Sequence, residues 1–154
     1  MKLKKVAILL FLTVFAILAP SLLFSSDKLH KAAYNGDIKT VKIILKDRIN
    51  PDERDSFGGT ALHAAMFQDN MKIVELLIEA GLDVNAQGTY NKYTPLHDAV
   101  WANNLQAAKL LVKHGSKIDI KSVDRKTAYE KALDEDKKEM AEYLHSLEYS
   151  LAIY

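Results

Sequence analysis

The sequence predicts an all-α fold, a solenoid of about four helix-turn-helix units behind an N-terminal hydrophobic segment. Three observations predict it. First, one phrase returns at a fixed interval. Thr60-Ala61-Leu62-His63-Ala64-Ala65 recurs as Thr94-Pro95-Leu96-His97-Asp98-Ala99, with a worn copy at Thr127-Ala128-Tyr129-Glu130-Lys131-Ala132 and a fragment at Leu29-His30-Lys31-Ala32. The interval is 33 residues from Leu29 to Leu62, 34 from Leu62 to Leu96 and 33 from Thr94 to Thr127, a period that marks stacked helical repeats. Second, each phrase is followed by an apolar stripe at helical spacing. Third, Gly81 and Gly115 fall just past two of those stripes, where a left-handed residue closes a helix.

The first 26 residues stand apart. Met1 to Lys5 is short and basic, and Val6 to Phe24 is a run of 19 residues without a charge. A basic start, an apolar stretch and the small residues Ser21, Ser25 and Ser26 describe a signal peptide, with cleavage expected after Ser21 or Ser25. An uncleaved anchor remains the alternative, because such a run is just long enough for a bilayer core of about 30 Å. Either way the basic residues keep the N-terminus in the cytoplasm and export the repeats. The expected location is therefore the periplasm or the medium, or the inner membrane with the repeats outside the cytoplasm.

Residues 27–154 hold the repeats, with units at about 27–56, 57–89, 90–122 and 123–154. Thr60 and Thr94 stand at N-cap positions, and Pro95 suits the first turn. The first helices are rich in small residues: Ala32-Ala33, Ala64-Ala65, Ala99 and Ala132. The second helices carry Ile38, Val41, Ile44 and Leu45; Ile73, Val74, Leu77 and Ile78; Ala107, Ala108, Leu111 and Val112; and Met140, Ala141 and Leu144. The tail from Ser146 extends the last helix or frays.

These residues resemble the ankyrin repeat family. Its pattern T-P-L-H-x-A-A followed by G-h-x-x-h-V-x-x-L-L-x-x-G-A-D-V-N-A is matched most closely from Thr60 to Ala86, where Ile73-Val74-Glu75-Leu76-Leu77-Ile78-Glu79-Ala80-Gly81-Leu82-Asp83-Val84-Asn85-Ala86 is nearly the consensus. Unit three matches through Thr94-Pro95-Leu96-His97 and Leu110-Leu111-Val112-Lys113-His114-Gly115, and the likeness covers about residues 27 to 148. The glycine between paired helices survives only as Gly36. Asp69, Asn103 and Asp136 replace it, and all three are expected to keep the left-handed turn. Arg48 and Pro51 depart from the pattern in unit one, and Tyr129-Glu130 in unit four, which fits outer units that must meet water. Unit three has one extra residue between Gln87 and Tyr93. The resemblance implies a module that binds a protein partner; together with the N-terminal segment and the Lys and Asn usage it gives the expectation of a small secreted or envelope protein of bacterial type.

The resemblance also implies roles for particular residues. His30, His63 and His97 take the motif position, where the imidazole bonds within and between repeat loops. The two residues before each inter-helix turn face the concave side: Tyr34-Asn35, Phe67-Gln68, Trp101-Ala102 and Asp134-Glu135. Loop tips on that side add Phe57, Tyr90, Asn91, Lys92 and Tyr93. An exposed aromatic row is the raw material of an interface hot spot, so these twelve positions, Ala102 excepted, form the expected partner-binding set. The alternative is that the rings lean inward and pad a thin stack.

No catalytic constellation is visible. Histidines one repeat apart lie about 10 Å from each other, the spacing of packed helices, too far to share a zinc held at about 2 Å. Gly58-Gly59 reads as a turn, since no phosphate-loop pattern follows. Asp134-Glu135-Asp136 lacks the alternate spacing of a calcium loop. No serine sits in G-x-S-x-G. The chain has no cysteine, which excludes disulfides, thiol nucleophiles, thiolate metal sites and a lipid-modified cysteine anchor. Setting aside Lys2, Lys4 and Lys5 from the 21 basic residues leaves 18 against 20 acidic ones. A net charge of −2 is no footprint for nucleic acid. We therefore expect a non-enzyme without metal or cofactor, an enzyme being the remote alternative, and one that touches a membrane only through residues 6–24 if these are retained.

Overall fold

A computed structural model describes residues 25–47, 50 and 52–151. Residues 1–24 of the expected signal or anchor segment, the departures at Arg48 and Pro51, and the last three residues of the tail lie outside the described residues. Among the described residues the chain forms eight α-helices and one 3-10 turn, with no strand. They pair as α1 (Ser25–Tyr34) with α2 (Ile38–Ile44), α3 (Ala61–Ala64) with α4 (Met71–Glu79), α5 (Pro95–Trp101) with α6 (Leu105–Lys113), and α7 (Ala128–Asp134) with α8 (Lys138–Leu151). The first helix therefore opens at Ser25, two residues ahead of the expected start of the repeats. No described helix is long and apolar enough to cross a membrane.

The first helices stack side by side because their contact positions are small. Ala32, Ala65, Ala99 and Ala132 recur at one position of each unit and are buried, so neighbouring backbones approach closely. The second helices form an outer layer that closes the core with Val41, Ile73, Val74, Leu77, Ala107, Ala108, Leu111, Met140 and Leu144. Leu147 of the tail also packs on this core, so α8 continues the fold as far as Leu151.

The caps explain why each helix stops where it does. At the end of α4 the Leu82 N–H bonds the Leu77 carbonyl and the Gly81 N–H bonds Ile78, at 3.1 and 2.9 Å, with Gly81 at φ +94°. This paired closure satisfies the Leu77 and Ile78 carbonyls, which have no partner inside the helix. Gly115 repeats it after α6, at φ +88°. The turns after α1, α5 and α7 use the same pair of bonds around Gly36, Asn103 and Asp136, at φ +72°, +53° and +52°. Asp69 corrects the expectation, because it does not take the left-handed conformation. In unit two α3 tightens into the 3-10 turn Ala65–Phe67, and Gln68 is extended at φ −138°. The Gln68 amide then closes the turn itself. Its Nε2 donates to the Ala65 carbonyl at 2.9 Å and its Oε1 accepts from the Asn70 N–H at 2.5 Å. A side chain supplies what a left-handed backbone supplies elsewhere.

The loop tips pair sideways along one edge of the stack. The Thr89 N–H donates to the Gly58 carbonyl and the Val123 N–H to the Asn91 carbonyl, both at 2.9 Å. Gly58, Lys92 and Arg125 hold the same place in successive tips, all with positive φ. The extra residue of unit three is absorbed here, before the shared left-handed position, so the helices stay in register.

Candidate functional site

The repeated histidines tie the units together. The Thr60 N–H points at His63 Nδ1 from 3.1 Å, so Nδ1 must accept. The proton then sits on Nε2, which donates to the Tyr93 carbonyl of the next unit at 3.0 Å. His97 repeats the arrangement with Thr94 at 3.2 Å and the Lys126 carbonyl at 3.1 Å. His30 Nε2 meets the Gly59 carbonyl at 3.1 Å. A second proton on Nδ1 of His63 would face an N–H and a buried surround. Burial accordingly pushes the His63 pKa down to about 4, and burial is also the main cause that lowers His97. In unit four Glu130 takes the histidine's place and accepts from the Thr127 N–H at 2.7 Å. These side chains are spent on the scaffold.

The concave side is different. Tyr34 and Trp101 end α1 and α5, Phe67 ends the 3-10 turn that continues α3, and stacking brings the three into one row. The Tyr34 and Phe67 ring centres are 5.9 Å apart and tilted; those of Phe67 and Trp101 are 5.5 Å apart and edge-on. The rings touch one another yet remain 56, 36 and 60% exposed. With Asn35, Phe57 and Asn91 they line a groove enclosing about 840 Å³. Phe57 and Tyr90 stand out from the tips, 84 and 70% exposed.

The remaining predicted residues have other surroundings. Gln68 closes its own turn, as described. Lys92 occupies a left-handed tip position. Tyr93 stacks on His97 with ring centres 5.2 Å apart, and Lys131 Nζ lies 5.4 Å from the centre of its ring. Asp134 holds Lys126 in an ion pair, and Glu135 is exposed at the C-cap of α7. The aromatic row thus stops after three units, where Asp134 takes the ring's position.

Sequence reasoning missed Asp98. It sits on α5 one turn before Trp101, lines the same groove and is only 8% exposed. Burial first, and then the nearby Asp55 charge, push its carboxyl up to about 7. The available signal was positional: Asp98 fills the variable place of the repeated phrase, where unit two has Ala64. A small residue there keeps the groove floor apolar, whereas a carboxyl puts a titratable group into it.

Comparison with known proteins agrees with this architecture. Ankyrin repeats, in three copies, match residues 29–124. The potassium channel AKT2/3 of Arabidopsis thaliana is 40% identical over 72 residues, 47% of this chain and 9% of the channel. The RelA-associated inhibitor of Mus musculus is 34% identical over 125 residues, 79% of this chain and 15% of that protein. A putative ankyrin repeat protein of Rickettsia bellii (strain RML369-C) is 38% identical over 72 residues, 44% of this chain and 30% of that protein. The chain spans less than a third of each of these relatives, so the likeness belongs to the repeats and not to the larger proteins' activities. With the period, the capped helix pairs and the histidine bridges all in one phase, the chain belongs to the ankyrin repeat family.

Proposed function

We propose that this chain is a non-catalytic docking module that holds a protein partner in its concave groove. Ankyrin repeats are generally protein–protein interaction modules, and the observation that carries the finer reading is the aromatic row. Three large rings in mutual contact stay exposed along a groove instead of turning into the core 33 residues at a time. Covering such rings with a partner removes apolar area from water at about 25 cal/mol per Å², and Trp and Tyr dominate measured hot spots. His63 and His97, the other candidates for chemistry, are buried in backbone bridges that hold them neutral. Partner docking would act by stoichiometry, changing the partner's activity, stability or place.

The N-terminal sequence supports placing this module outside the cytoplasm. The test is the mass of the chain recovered from cells: loss of more than twenty residues means cleavage and release, full length in the membrane fraction means an anchored scaffold, and full length in the soluble cytoplasmic fraction refutes export. The docking reading is tested by affinity capture with the wild type and a Tyr34/Phe67/Trp101→Ala variant. A protein retained by the first and lost from an equally folded second supports it. Equal retention by both refutes it.

A further inference from the structure

We infer that the groove receives one basic side chain of its protein partner, an arginine or lysine that lies along the Trp101 ring and pairs with Asp98. The inference rests on the docking reading above and adds the chemistry of what docks.

Asp98 is buried, and its carboxyl has no hydrogen bond or ion pair among the described residues. A carboxyl this little exposed and without a protein partner is costly to charge unless an ion pairs with it. The repeat offers a cation nearby and does not use it. Lys131 holds the equivalent position one unit on, but Asp124 takes it at 2.6 Å and the Tyr93 ring lies on its other side. Asp55, the nearest charge on the tip side, repels Asp98. Lys31 also lines the groove, but at the equivalent place of α1, two units back, so Asp98 and Asp55 leave the Trp101 end of the floor acidic.

The walls fit the same occupant. Phe67 and Trp101 present ring faces and edges beside the carboxyl, and a guanidinium or ammonium is attracted to such a face while its methylene stem covers apolar surface. An apolar side chain in this place would leave the carboxyl unpaired. An acidic one would add a third negative charge beside Asp55 and Asp98. Charge complementarity thus selects a cation, and the aromatic walls select one carried on a long side chain.

The probe is a random twelve-residue peptide library displayed on phage and selected on the full chain in mild detergent. Selected peptides are then titrated while the emission of Trp101, the sole tryptophan of the chain, is followed. The expected result is that peptides which move this emission carry an arginine or lysine, and that its replacement by glutamine weakens binding by about tenfold or more on the wild type. The same replacement should cost less than about twofold on Asp98→Asn, with Asp98→Ala as a second variant should the first fold poorly. Peptides that move the emission but tolerate the loss of their basic residue, or lose as much on the Asp98 variants, overturn the cation assignment and leave groove docking standing. A selection in which no peptide moves the emission overturns groove docking itself, and this inference with it.

Discussion

The side-chain amide of Asn104 reaches back one unit and donates to the Met66 carbonyl at 3.1 Å. The same nitrogen lies 3.0 Å from the Gln68 carbonyl, and Asn104 Oδ1 caps its own helix by accepting from the Ala107 N–H at 3.0 Å. Asn104 therefore starts α6 and finishes the shortened first helix of unit two. The unit that lacks a left-handed turn borrows its closure from its neighbour.

Asn104→Ala should cost more than an ordinary cap. Loss of an N-cap is worth about 1 kcal/mol, and each buried carbonyl left without a donor adds about 1 kcal/mol or more. A loss of about 2–3 kcal/mol in urea unfolding is expected. Asn104→Asp keeps the cap to Ala107 but cannot donate backward, so it should fall between the two. A loss under about 0.5 kcal/mol for the alanine variant would show that solvent satisfies those carbonyls.

Core and groove should separate cleanly on mutation. Leu77 on α4 is fully buried, so Leu77→Ala should destabilise by about 2–5 kcal/mol. Trp101 is mostly exposed and touches Phe67 edge-on, a contact worth about 0.5–1.5 kcal/mol. Trp101→Ala should therefore lower stability by only about 1 kcal/mol. Thermal melts of the two variants decide the matter: a loss at Trp101 as large as at Leu77 would place the aromatic row in the core.

The contrast between those two residues marks what the sequence could disclose. Leu77 was legible because a helix exposes its buried face as a period, and the Thr60 and Thr94 boxes were legible because they recur. Asp69 was misread for a physical reason. Its tolerance of a left-handed backbone says nothing about Gln68, whose amide closes the turn first. Asp98 was missed because the repeat leaves its position variable. It shares its groove with the rings of Phe67 and Trp101 from two units and with Asp55 from a loop tip, an arrangement that no local pattern reports.

His63 should make the fold sensitive to acid. Its folded pKa of about 4 lies below the ordinary 6.5, so the unfolded chain binds the proton first. Its contribution is complete above pH 6.5 and is lost as pH falls from 6.5 towards 4, about 3 kcal/mol over that span. His63→Gln can keep one bond of the bridge and does not titrate there. Unfolding free energies at pH 7.5 and 4.5 should show the variant weaker at the higher pH and losing less on acidification. Parallel losses in both proteins would mean that His63 does not carry the acid response.

Asp98 works in the opposite direction, and the two effects mask each other in the wild type. Its folded pKa of about 7 lies above the ordinary 3.8. The unfolded chain therefore releases the proton first, and stability falls as pH rises from 3.8 through 7, by about 4 kcal/mol in all. The other titratable groups lining the same groove are Asp55, His30, His63, Lys31 and Tyr34. Asp55 raises Asp98 further, and His63 is neutral across most of this range. Asp98→Ala puts at this position the residue that unit two already carries as Ala64. At pH 7.5 the variant should be more stable than the wild type by about 2–4 kcal/mol, and at pH 4 within about 1 kcal/mol of it. With the opposing slope removed, the acid response of His63 should stand out in the variant's pH profile. A variant no more stable than the wild type at pH 7.5 would mean that the Asp98 carboxyl is already solvated or paired there. It would then have no need of a cation from a partner.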